Sequence, residues 1–271
     1  MAGPFVRVAY VHLQQQGTGS SRDPETAGGL HVPPAAEAMH NGALDPVPRV
    51  SMIAPRVRAS IDRSQALHLA RLVDPGGGRS KGAGQQTLDD HGLDALLDHP
   101  MLPGILLTEN DVGVQPAVVF YVLVRQSLLE AGVANRGIAD LLATLVLEFG
   151  RGDRSSRLSG VGPAEKYDYL VDLLEAALSS EGSRVYLVNS HLGNRALWMS
   201  GLWHRHVVSR LGESGVRYYE KMGASGYAEA AHTREAEALG VQTLLSDLSY
   251  AFPEARRALT LLSDRYLFPG R

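Results

Sequence analysis

The sequence predicts an all-α protein, a multi-helix bundle preceded by a Pro/Gly-rich N-terminal arm. Three observations predict it. From about Leu88 onward apolar residues recur at helical spacing, glycines and prolines sit where helices start and stop, and no clear period-2 alternation intervenes. Before that point the composition is different. Residues 1–87 hold eight of the 14 prolines, two of them adjacent at Pro33-Pro34, and the run Gly76-Gly77-Gly78. Proline removes a backbone donor and glycine raises the entropy lost on ordering, so this stretch reads as a flexible, disordered arm. The predicted division is an arm over 1–87 and a helical domain over 88–271. Met39 and Met52 are alternative downstream starts for the chain.

Within the arm, residues 60–73 carry Ile61, Leu67 and Leu72 in loose helical spacing, ended by Asp74-Pro75 and the glycine run. Leu88 to Leu97 is a short helix candidate stopped at His99-Pro100, and residues 105–108 read as an apolar connector able to extend. Pro116 suits a first helical turn. The dense run from Val118 to Leu129 has strand-like composition at its start, but its continuation into Arg125-Gln-Ser-Leu-Leu-Glu favours a buried helix capped by Gly132.

Ile138, Leu141, Leu142, Leu145, Val146 and Phe149 then mark one continuous face of a helix that Gly150 closes. After a polar loop, Pro163 introduces a further amphipathic segment with Tyr167, Leu170, Val171, Leu174, Ala177 and Leu178 on one face. Helices are also expected at about 183–202, 216–239, 241–250 and 253–266.

Composition narrows the function. A formal charge of −3 is too small to steer the whole molecule to nucleic acid or an anionic membrane, so neither partner is expected. Nearly all the positive charge is arginine; Lys81, Lys166 and Lys221 are the three lysines. With no cysteine, disulfides, zinc–thiolate sites and thiol nucleophiles are excluded. No uninterrupted apolar stretch resembles a secretory leader or a membrane span, and a cytoplasmic location is expected.

Two constellations can carry chemistry. On a helix, His191, Asn194 and Arg195 stand at i, i+3 and i+4 and form one polar turn between Leu187/Val188 and Trp198/Met199. Unpaired buried donors cost about 1–3 kcal/mol each. The turn therefore needs either an internal network, with Glu148 a candidate carboxylate, or a ligand, anionic because Arg195 is the strongest donor.

In the second constellation Tyr219, Gly223 and Tyr227 share a face, and Gly226, Ala230 and Ala231 form a strip of small residues. Glycine within a helix costs about 1 kcal/mol against alanine, so a helix backbone or a bound molecule must approach closely there. The ligand-binding candidates are thus His191, Asn194, Arg195, Trp198, Tyr219 and Tyr227.

Other patterns fail. Residues 76–84 lack the Gly-Lys-Ser/Thr order of a phosphate loop, Ser225 sits in Gly-Ala-Ser-Gly with no preceding strand, and His204-x-His206 diverges around a helix. Neither metal nor cofactor is expected.

The segment His191-Leu-Gly-Asn-Arg-Ala-Leu-Trp-Met-Ser-Gly-Leu-Trp203, followed by Tyr218-Tyr219-Glu-Lys-Met222-Gly223-Ala-Ser225-Gly-Tyr227, resembles the paired signature of an uncharacterised bacterial family of helical proteins. That resemblance spans roughly Leu88 to Leu267 and implies no activity. Asn194-Arg195 departs from the Asp-Thr-like pair of such relatives. The expectation is a helical binding or interaction protein, with a protein, a small molecule or a second copy as partner. The alternative is a small-molecule enzyme or sensor with an anion-accepting pocket at His191, Asn194 and Arg195, where His191 acts as acid or base.

Overall fold

The computed structural model describes residues 53–74, 82–108, 113–150, 155–160, 162–167 and 169–269, and within these the chain is a multi-helix assembly around one apolar core. Of the flexible arm expected over residues 1–87, residues 1–52 and 75–81 lie outside the described residues.

A short turn, α1 (Val57–Ser60), leads into α2 (Arg63–Val73), α3 (Ala83–Leu97) and α4 (Leu102–Thr108). The expected boundary near residue 87 falls inside α3, and the helices before it belong to the core. Val57, Leu69, Ala70 and Val73 are buried. Carboxylates explain why this proline-rich stretch orders. Asp62 caps α2 by accepting the Gln65 N–H at 2.8 Å. Asp74 accepts the N–H groups of Gly84 at 2.6 Å and Gln85 at 3.2 Å, tying the end of α2 to the first turn of α3. Asp140 accepts those of Arg56, Val57 and Arg58 at 3.1, 2.7 and 3.3 Å. Such caps are long-range or local polar contacts that a composition argument does not register.

Residues 105–108, expected as an extended connector, are helical in α4, where Leu102 and Leu106 face the core a turn apart. Next come α5 (Pro116–Glu130), with proline in its first turn, and α6 (Arg136–Phe149). Gly132 between them takes φ 87°, a left-handed conformation open to glycine. Asn135 caps α6 by accepting the N–H groups of Gly137 and Ile138.

A two-stranded antiparallel hairpin follows, β1 (Arg157–Gly160) and β2 (Gly162–Lys166), then α7 (Leu170–Leu178). The helix expected to begin at Pro163 therefore starts later, because residues 162–166 pair with β1. Arg184 pins the hairpin through two bonds to Glu165, at 2.8 and 2.6 Å.

The centre of the fold is α8 (Ser183–Leu202) packed along α9 (His204–Ala231), a helix bent at Gly212, where φ is 64°. α10 (Arg234–Ala238), α11 (Gln242–Tyr250) and α12 (Phe252–Leu262) complete the bundle, and a single π-type turn over Ser263–Leu267 closes it. Both α11 and α12 lie against α9, and α12 also packs on α8 and α5.

Arg125 on α5 is a cation with only 2% of its surface exposed. Its guanidinium is met on three sides: Nε and Nη2 bond the two Asp98 oxygens at 2.8 and 3.1 Å, and Nη1 bonds the Ala134 carbonyl at 2.8 Å. Arg136 adds a 2.5 Å bond to Asp98. Burial alone would raise the Asp98 pKa, but the bonds and charges of Arg125 and Arg136 outweigh it and hold the carboxyl below its usual range.

Candidate functional site

The predicted polar turn exists, on the middle of α8. His191 and Asn194 are buried, and Arg195 beside them is partly exposed. Around them stand Phe149 from the end of α6, Ser155 from the loop after it, and the second half of α9.

Asn194 is committed to the protein. Its Oδ1 accepts the Tyr227 hydroxyl at 2.8 Å across the α8–α9 contact. Tyr227 is wholly buried, and burial raises its pKa far above the ordinary phenol value, so it stays a donor. The close approach expected at the glycines is also present. A Cβ on Gly226 would stand 2.7 Å from the Asn189 carbonyl oxygen, and one on Gly193 2.7 Å from the Tyr227 ring. A Cβ on Gly223 would meet the Phe252 ring at 2.3 Å. Helix backbones and an aromatic ring occupy the space these glycines leave.

Trp198 is 1% exposed and meets Phe149 edge-on, with ring centroids 5.6 Å apart. It is a core residue. Phe149 makes a similar edge contact with His191 at 5.7 Å. The His191 Nε2 is buried with no hydrogen-bond partner among the described residues. Burial, reinforced by the nearby Arg195 charge, pushes the imidazole down to about 4, so it is neutral at pH 7. Arg195 reaches outward, its Nη1 donating to Ser155 Oγ at 3.1 Å. Tyr219 is partly buried, and desolvation raises its pKa although the Arg195 charge opposes this.

Of the six residues predicted from sequence, the structure thus brings His191 and Trp198 together around Phe149, pairs Asn194 with Tyr227, and sets Arg195 near His191 and Tyr219. Ser155 was not foreseen, because a loop serine 40 positions upstream carries no periodic signal. A pocket of about 260 Å³ lies elsewhere, between α2 and the first turn of α5, lined by Gln65, His68, Arg71, Gln115 and neighbouring residues; none of the six lines it. Among the described residues no group of three or more His, Asp or Glu is arranged to hold a metal, and no helix is long and apolar enough to cross a membrane.

The outer face of α7 is a second candidate. Leu170 and Leu173 are buried, while Tyr169, Val171 and Leu178 are 69%, 57% and 82% exposed. Val171, Leu174 and Leu178 are spaced i, i+3 and i+7, so they share one face of the helix. This segment was predicted as amphipathic, with a single apolar face. That stripe is present but only partly covered: Leu170 is buried at one edge, and Val171 and Leu178 at the other are exposed.

Compared with models of protein families, with curated proteins and with solved structures, the chain matches none.

Proposed function

We propose that the chain is a helical interaction protein whose contact surface is the outer face of α7. The observation that carries this reading is that Val171 and Leu178, both more than half exposed, share one face of α7 with the partly buried Leu174, while Tyr169 is exposed at the helix N-cap. Isolated exposed apolar residues are ordinary, whereas a contiguous patch signals a surface meant to be covered. The polar turn on α8 supports the same reading from the other direction. Asn194 is satisfied by Tyr227, and Trp198 and Tyr227 are core residues, so this constellation serves the α8–α9 contact more than catalysis.

A second reading, a small-molecule enzyme or sensor, is favoured by the unpartnered His191 Nε2 beside Arg195. In it an anionic group approaches from the Arg195–Ser155 side and His191 donates or accepts a proton. The resemblance of residues 191–203 and 218–227 to a bacterial family fits a bacterial, cytoplasmic setting for either reading.

The experiment is to place a photo-reactive phenylalanine at Leu178 in the full chain and irradiate it in cells of its own host. A defined protein adduct, absent when the label is moved to the exposed Arg63 on α2, is the expected result. Equal labelling from both positions, or none, overturns the reading.

A further inference from the structure

We infer that the partner of the α7 face is a second copy of this chain, docked through the basic half of α9; this rests on the reading of α7 as a contact surface. The argument is one of charge matched to shape. The α7 stripe is flanked by Asp172 and Glu175, both exposed, and the helix holds no basic residue. Among the described residues neither carboxylate has an ion-pair partner; Asp172 accepts the backbone N–H of Tyr169.

The exposed side of α9 has the opposite character. Beyond the Gly212 bend, Arg217 and Lys221 stand at i and i+4, both exposed and with no ion-pair partner among the described residues, beside the 40%-exposed Tyr218. Just before the bend, exposed Arg210 neighbours Leu211, which is 52% exposed. Glu213 is the exposed carboxylate of this stretch, and Glu220 is already held by Arg256 at 2.6 Å, so basic charge is in excess.

Each face repels a copy of itself. Two α7 faces would bring four carboxylates together, and two α9 faces would oppose their arginines and lysines. An α7 face set on the α9 face of another copy places apolar on apolar and acid on base. Such a contact is heterologous, using different patches on the two copies. Its few apolar anchors make it a modest interface, so association should depend on concentration.

Charge reversal in the full chain tests this by sedimentation velocity and native mass spectrometry. In one variant, Asp172→Asn with Glu175→Lys reverses α7 and leaves a side-chain acceptor for the Tyr169 N–H. In the other, Arg217→Glu with Lys221→Glu reverses α9. The wild type should self-associate, each variant alone should lose this by at least roughly tenfold, and an equimolar mixture of the two should regain it. Unchanged melting temperatures check that both variants are folded.

A monomeric wild type at every concentration overturns the inference, and an adduct of Leu178 with a different protein then preserves the α7 reading. Loss of association in the α7 variant alone, without rescue in the mixture, keeps α7 and removes α9. Association that survives α7 reversal overturns the inference and, with no Leu178 adduct, the α7 reading too.

Discussion

The hydroxyl of Tyr227, near the end of α9, donates at 2.8 Å to Oδ1 of Asn194, in the middle of α8 and 33 positions earlier in the chain. The bond is fully buried, so its loss is not repaired by solvent. Tyr227→Phe leaves the amide oxygen without this donor and is expected to lower stability by about 1–3 kcal/mol, read from urea unfolding. A change below a few tenths would show that Asn194 finds another donor.

The same crossing depends on the absence of side chains. Gly226→Ala sets a methyl group 2.7 Å from the Asn189 carbonyl oxygen, a backbone atom that moves only with its helix. Alanine is the better helix former by about 1 kcal/mol. Overpacking of about 1–3 kcal/mol should nonetheless prevail, so a lower melting temperature is expected. Ser225→Ala, one residue away on the exposed side, should be neutral or slightly stabilising. Equal behaviour of the two variants would mean that α8 and α9 can separate at no cost.

His191 gives a pH signature. Its folded pKa of about 4 lies below the ordinary value of 6.5, so between these limits the unfolded chain binds a proton that the folded one refuses. Stability from this group is fully present above pH 6.5 and falls as the pH drops towards 4, by roughly 3 kcal/mol in all. His191→Phe, which keeps an aromatic ring against Phe149, should flatten the stability profile over that window relative to wild type. Identical profiles would show that the imidazole is reached by water.

Arg125 is held by Asp98 and by the Ala134 carbonyl with almost no exposure. Arg125→Met leaves Asp98 paired only with the more exposed Arg136 and leaves the carbonyl bare. A loss of about 3–5 kcal/mol is expected, measured by chemical denaturation, because a charge pair broken on one side costs more than one never made. Replacing Arg136 by Met should cost less. The reverse order would place the main support of Asp98 on Arg136.

A chain beginning at Gln85 tests the arm. Composition predicts that everything before residue 88 is dispensable, but such a chain lacks the buried side chains of Val57, Leu69, Ala70 and Val73. It should be much less stable than one beginning at Ile53. Comparable melting of the two would restore the predicted boundary.

Legibility in the sequence followed the range of the physics. The face from Ile138 to Phe149 and the glycines of α9 were readable, since periodicity and helix propensity are local. Both describe what the structure contains: a buried face on α6, and backbone atoms or rings pressed against Gly223 and Gly226. The hairpin was not readable, because its nine strand residues are rich in Gly, Pro and charge and show no alternation. The helices before residue 88 were missed because Asp74 and Asp140 bind backbone N–H groups 10 and 83 positions away. At the site, three adjacent polar residues were visible as a turn, but their separate fates were set by Tyr227, Phe149 and Ser155 from other segments.

The clasp of Asp140 on Arg56, Val57 and Arg58 also bears on the order of events in folding. Closing a loop of 83 residues carries an entropy cost of about 4 kcal/mol by simple chain statistics, whereas α8 and α9 adjoin in sequence and meet across a short turn. The strap around Val57 should therefore dock late, onto an α6 whose first turn already presents its carboxylate. In pulse-labelled hydrogen exchange, the amides of Val57 and Arg58 would then gain protection after those in the middle of α8, and unfolding would begin by releasing them.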